Sequence, residues 1–221
     1  MAVWFQNMIR EIREHTERMD RKQKLEYILT YYWYHLLFVV VSAGLLILLV
    51  RHLFFREPPK AFTCVLVNQT VDYARDEELA ADFAAVSGID PERIEIDSDY
   101  IFSYGDVKLE AANESSYEKF FFRWGEDELD AVLMPESFYR HCRELEYEFA
   151  DLGSLCTEEQ KRVYAGSFLE EGGRQEALYV EDTRLKPYVR QTEGDRMILV
   201  YVPESGHVEA DRAFLAFVMG M

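Results

Sequence analysis

Hydrophobic and polar positions fall along this chain in three patterns, and each predicts a different kind of element. The first is an unbroken apolar run, YYWYHLLFVVVSAGLLILLV, which begins at Tyr31, ends at Val50 and holds twenty residues without an Asp, Glu, Lys or Arg. At about 1.5 Å of rise per residue it spans roughly 30 Å, the thickness of a bilayer's hydrocarbon core. Tyr31, Tyr32, Trp33 and Tyr34 stand at one end, where amphipathic rings favour the headgroup level, and Arg51, His52 and Arg56 mark the other. A membrane-spanning helix is expected. It is preceded by thirty patterned residues and followed by RHLFFREPPK, with no small-residue cleavage site. The expectation is therefore an uncleaved signal anchor.

The second pattern has the helical period. Phe5, Met8, Ile9, Ile12 and Met19 predict a short amphipathic helix within residues 3–19. Asp20 and Gln23 have capping-box spacing, so a helix is expected to start there and continue into the span, until Glu57-Pro58-Pro59 stops it. Leu79, Phe83 and Val86 predict a helix capped near Asp76 and closed by Gly88. Tyr117, Phe120, Phe121 and Trp124 predict another after Asn113, and Pro135 opens one through Phe138 and Cys142. Thr157 and Gln160 form a capping box before a short helix ending near Tyr164. Ala210, Ala213, Phe214, Phe217 and Val218 give the closing helix, residues 208–219.

The third pattern is short, compact and apolar. Residues 62–67 (FTCVLV), 129–134 (LDAVLM) and 197–202 (MILVYV) lack the alternation of a strand with one wet face, and so predict strands buried on both sides. Ile94 and Ile96 mark another strand at residues 93–97, and residues 177–180 a further one after a turn at Gly172-Gly173. Strand followed by helix, three times over, predicts an α/β fold: a mostly parallel sheet with helices on both faces. The domains are then a cytoplasmic amphipathic segment (1–27), a transmembrane signal anchor (28–56), a linker (57–60) and an extracytoplasmic α/β domain (61–221).

Charge refines this layout. Six Lys/Arg precede residue 36, against three between Arg51 and Lys60, which places the N-terminus in the cytoplasm. Residues 57–221 hold 16 Lys/Arg and 36 Asp/Glu, a formal charge of −20, while residues 1–56 carry +3. That balance argues against nucleic acid and against docking on anionic headgroups. Three cysteines, Cys64, Cys142 and Cys156, are too few for a disulfide framework and read as small core residues, although Cys142 and Cys156 could pair outside the cell.

Three stretches resemble the type 2 periplasmic solute-binding proteins: FTCVLVNQT with ELAADFAAVSG, DAVLMPESFYRHCRELEYEFADLGSL, and MILVYVPESGHVEADRAFLAFVMG. Together they cover most of residues 61–221. The resemblance implies the fold of one lobe, the final strand, polar loop and helix packing back on it. Fewer than forty residues between Leu155 and Gln191 remain for a second lobe, enough for a strand pair or a flap.

Open α/β sheets bind ligands at the carboxyl ends of their strands. The candidates for ligand contact are therefore Asn68, Gln69 and Thr70 after the first strand, and Glu136 and Ser137 after the third. Ser137 at a helix start could offer backbone N–H groups to an anion. The same residues also suit ordinary turns and caps. No catalytic, metal or cofactor motif is present: Ser205-Gly206-His207 lacks a nucleophile elbow, and His141 beside Cys142 has no C-x-x-C partner. Asp97-Ser98-Asp99 begins like a calcium loop but continues with Ile101 and Phe102. The leading reading is a non-enzymatic, single-pass membrane protein whose extracytoplasmic domain binds or senses a partner protein or a small solute. Two alternatives are a solute receptor working with a membrane transporter and an enzyme of unrecognised type.

Overall fold

In the computed structural model the chain is described at residues 10, 13–14, 19–31, 33–54, 58–190, 194–203 and 205–220. It divides into two units, Met1–Glu57 and Pro58–Met221. The first contains α1 (Arg21–Tyr31) and α2 (Trp33–Phe54). Half of the expected capping box is present, since the Asp20 N–H donates to Gln23 Oε1 at 3.2 Å, while the Asp20 carboxylate accepts from the Arg21 N–H instead. The amphipathic helix expected over residues 3–19 falls almost wholly outside the described residues. Within α2, Trp33–Leu53 is long and apolar enough to cross a membrane, with a mean hydropathy of 2.4. It runs past Val50 and carries Arg51 and His52 in its last turn, where positive charge complements the helix dipole.

The second unit is an α/β fold. Its strands are β1 (Phe62–Val67), β2 (Ile94–Tyr100), β3 (Ala131–Pro135), β4 (Phe168–Glu171), β5 (Arg174–Tyr179) and β6 (Met197–Tyr201), joined in the order β2-β1-β3-β6-β5-β4. The three central strands, β1, β3 and β6, are buried along their whole length, as their unbroken apolar runs predict. Alternate residues of β1 serve opposite faces. Phe62, Cys64 and Leu66 join one core with Leu79 and Phe83 of α3 (Tyr73–Ser87) and Phe214 of α8 (Val208–Met219). Val65 and Val67 join the other with Phe120 and Trp124 of α4 (Glu114–Gly125) and Phe138 of α5 (Glu136–Glu144). Helices thus cover both faces.

The expectation of a mostly parallel sheet is overturned. β1 is parallel to β2 and β3, but β3–β6, β6–β5 and β5–β4 all pair antiparallel. The physical reason lies in the connections. Parallel neighbours need a long crossover, which α3 and α4 supply for the first three strands. β4 and β5 are joined only by Gly172 and Gly173, both at positive φ, so they form a hairpin on the edge of the same sheet. β4 itself was not foreseen, because FLEE has neither alternation nor β-branched residues.

Caps follow the sequence closely. Asn113 caps α4, and Thr157 with Gln160 forms a full capping box on α7 (Glu158–Val163), which follows the short α6 (Leu152–Leu155). Gly88 closes α3 in the left-handed conformation. The N-cap of α3, however, is Asp72 and not Asp76. Asp76 is buried in the first turn and accepts from both the N–H and the hydroxyl of Ser98, tying α3 to β2.

Candidate functional site

The five residues singled out from the sequence lie where expected, after β1 and β3, but most of their polar groups are bound to other parts of the chain. Asn68 turns the chain at φ 55°, a left-handed conformation that Asn tolerates well. Its N–H donates to the Tyr100 carbonyl at 2.8 Å and its Oδ1 accepts from the Phe102 N–H at 2.9 Å. It therefore pins the end of β1 to the exit of β2. Gln69 is buried and reads the backbone of Arg190 on both sides, donating to its carbonyl at 3.0 Å and accepting from its N–H at 2.8 Å. Thr70 is exposed.

Ser137 is the second residue of α5, whose N-cap is Pro135, a residue with no side-chain acceptor. Asp195 takes that place: Oδ1 accepts the Ser137 N–H at 3.1 Å, and Oδ2 accepts the Ser137 hydroxyl. The helix start that could have bound a free anion holds a carboxylate of the chain itself. Tyr104 shares a 2.7 Å hydrogen bond with Ser137 Oγ, and burial raises its hydroxyl pKa above the ordinary phenol value. Glu136 stands apart from this group. It accepts from Arg140 at 2.5 Å and from the Tyr179 hydroxyl at 3.2 Å, on the wall of an open groove of about 630 Å³ that also takes in Tyr139, Arg143 and Leu169.

The structure thus brings Asn68, Gln69 and Ser137 into one internally bonded crest and leaves Thr70 and Glu136 outside it. Tyr104, Arg190 and Asp195 complete the crest, and sequence reasoning missed all three. Asp195 gave one usable signal, an acid in the loop before β6, but its partner lies 58 positions away.

A second polar cluster gathers at the opposite end of the parallel strands. Asp130, just before β3, is buried; its Oδ2 accepts the Thr63 N–H at 2.6 Å and its Oδ1 lies 2.9 Å from His207 Nδ1. Ser205 donates to Asp211 Oδ2 at 2.7 Å from the loop between β6 and α8. Asp211 is also buried, and its Oδ1 has no hydrogen-bond partner among the described residues. Burial pushes its carboxyl up to about 7, with Ser205 opposing the shift and the charge of Asp130 adding to it. Asp130 is raised as well, chiefly by burial.

This cluster contains a serine, a histidine and two aspartates without forming a nucleophilic triad. The Ser205 hydroxyl donates to Asp211 and also interacts with Asp130, and its contact with His207 is to the backbone N–H at 3.4 Å, not to the ring. No group of three or more metal-ligating side chains occurs among the described residues. Asp97, Ser98 and Asp99 lie within β2, where Ser98 is buried against Asp76 and Asp97 pairs with Lys119. All three cysteines are free thiols; burial raises Cys142 to about 12 and Cys156 to about 11, which suits packing and not nucleophilic attack. No protein-family model, curated protein or solved structure matches this chain.

Proposed function

We propose that this chain is a single-pass membrane protein, N-terminus in the cytoplasm, whose extracytoplasmic α/β domain is a non-enzymatic module that binds or senses a partner protein. The observation that carries the reading is the pairing of α2, apolar for the length of a bilayer, with a following unit that has its own sheet and two cores. The Lys/Arg bias toward the N-terminal side supports the orientation. For the fold, we propose one lobe of the type 2 binding-protein kind. What supports it is the parallel trio β2-β1-β3 with its crossover helices, and the closing strand and helix packed beside them.

A partner protein is favoured over a small solute because the polar groups after β1 and β3 are largely satisfied by the chain itself. Small ligands usually lose 70–90% of their surface in a pocket. Protease added to intact cells should digest residues 60–221 and spare a tag at Met1; the reverse pattern would overturn the orientation. A panel of amino acids, sugars and organic acids should leave the melting temperature of the full chain unchanged. A saturable rise with any of them would favour the solute-receptor alternative.

A further inference from the structure

The hairpin of β4 and β5 is covered unequally on its two sides. On one side Phe168 and Leu178 are buried and share a core with Leu152 of α6. On the other, Leu169 and Tyr179 are only half-buried, and the open groove of about 630 Å³ lies between them and the outward side of α5. Its α5 wall presents the exposed Arg140 and Arg143, and its β4 wall the exposed Glu170 and Glu171. The arginines keep unused donors. Arg140 gives one nitrogen to Glu136, and Arg143 lies 3.8 Å from the buried Glu176, beyond hydrogen-bond reach. Glu144, the remaining acid of that wall, stands at the very end of α5. Among the described residues neither Glu170 nor Glu171 has an ion-pair partner, so the gap holds free donors on one wall apart from free acceptors on the other.

An occupant of this groove must offer acceptors to the arginines and donors to the glutamates. The chain carries both sets on this one patch, and a two-fold axis applies each set to the other. We propose that the groove is a homodimer interface, in which Arg140 and Arg143 of each copy meet Glu170 and Glu171 of the other over a floor of Leu169 and Tyr179. Residues 57–221 carry a formal charge of −20, so two copies repel over most of their surfaces, and a contact between them needs cations such as these near its centre. Joining the free edges of β4, the last strand in the sheet order, would instead set the glutamates of one copy against those of the other. The contact is therefore made face to face and not edge to edge. It concerns the assembly of the chain itself, and holds whatever else the domain binds and whichever side of a membrane it occupies.

Sedimentation equilibrium of the full chain in density-matched detergent micelles tests this, with two variants: Arg140→Glu, and Glu170→Arg combined with Glu171→Arg. All three positions are exposed, and denaturation midpoints check that both variants fold. The natural chain should show a reversible monomer–dimer equilibrium. Each variant alone brings like charges together twice per dimer and should weaken association about tenfold. Mixed in equal amounts, the two variants should associate more tightly than either does alone, because each supplies the charge that the other lacks. A natural chain that stays monomeric up to about 100 μM overturns the dimer and leaves the groove to a different protein. A dimer that neither variant weakens, as one made through α2 would be, overturns it as well. So does a mixture no tighter than its components, since loss without recovery would mean that the variants act on the fold and not on charges meeting across the axis.

Discussion

Pro135 has no acceptor to offer the first N–H groups of α5, and Asp195 supplies one from the loop before β6. A borrowed cap of this kind should behave as a local one does. Asp195→Ala should destabilise the domain by about 1–2 kcal/mol in chemical denaturation, and sulfate should recover part of the loss by entering the vacated helix start. No loss, or no sulfate effect beyond that on the natural chain, would show that Asp195 is not the cap. Asp211 makes the opposite kind of contribution. Its folded-state pKa of about 7 lies above the ordinary carboxylate value of 3.8, so the folded state holds a proton that the unfolded chain releases. Its contribution to stability is therefore greatest below about pH 4, declines as pH rises toward 7, and is level beyond. Other carboxylates impose their own slopes, so the informative quantity is the stability of Asp211→Asn minus that of the natural chain. That difference should grow in favour of the variant between pH 4 and pH 7 and reach a few kcal/mol. A difference independent of pH would mean that Asp211 titrates normally.

At the scale of elements, legibility followed the kind of information that each residue carries. The runs FTCVLV and MILVY announced central strands because burial on both faces removes alternation, and the structure buries every residue of both. Apolar runs carry no direction, however, so the antiparallel setting of β6 against β3 could not be read from them. The helices α4 and α8 were legible from their stripes, α4 also from its cap, while β4 was hidden because half of FLEE is exposed and acidic. The site was less legible still. Asn68 and Ser137 announce a turn and a helix start, but what fills their hydrogen bonds, Phe102 and Asp195, is set by long-range folding. Asp130 and His207 meet across 77 positions, which no local pattern encodes. The central strands give the sharpest test of the architecture. Leu199→Asp or Leu66→Asp would bury an unpaired carboxylate at a fully covered position and should cost about 3–5 kcal/mol. Lys108→Asp, on an exposed loop, should shift stability by no more than about 0.5 kcal/mol. Equal denaturation midpoints for Leu199→Asp and Lys108→Asp would refute the sheet order.

For the molecule as a whole, two opposite solvent demands are written into one chain. The described part of α2 exposes side chains such as Phe38, Val40 and Ile47, which suit hydrocarbon and not water. The α/β unit gathers most of its apolar residues in two cores, whose buried members run from Phe62 to Met219, and residues 57–221 carry a formal charge of −20. Net charge of that size favours solubility while opposing compaction by self-repulsion. A domain of this length has about 5–15 kcal/mol of stability to set against such terms. Among the described residues, the members of both cores all come from the α/β unit itself, so the unit should not need α1 or α2 to fold. A fragment beginning at Lys60 is therefore expected to be soluble without detergent and to unfold in one cooperative transition. Its midpoint should rise with moderate salt as the repulsion is screened. Aggregation, or a gradual loss of structure without a transition, would mean that the apolar helix contributes to the folded α/β unit and that the two parts are not separable.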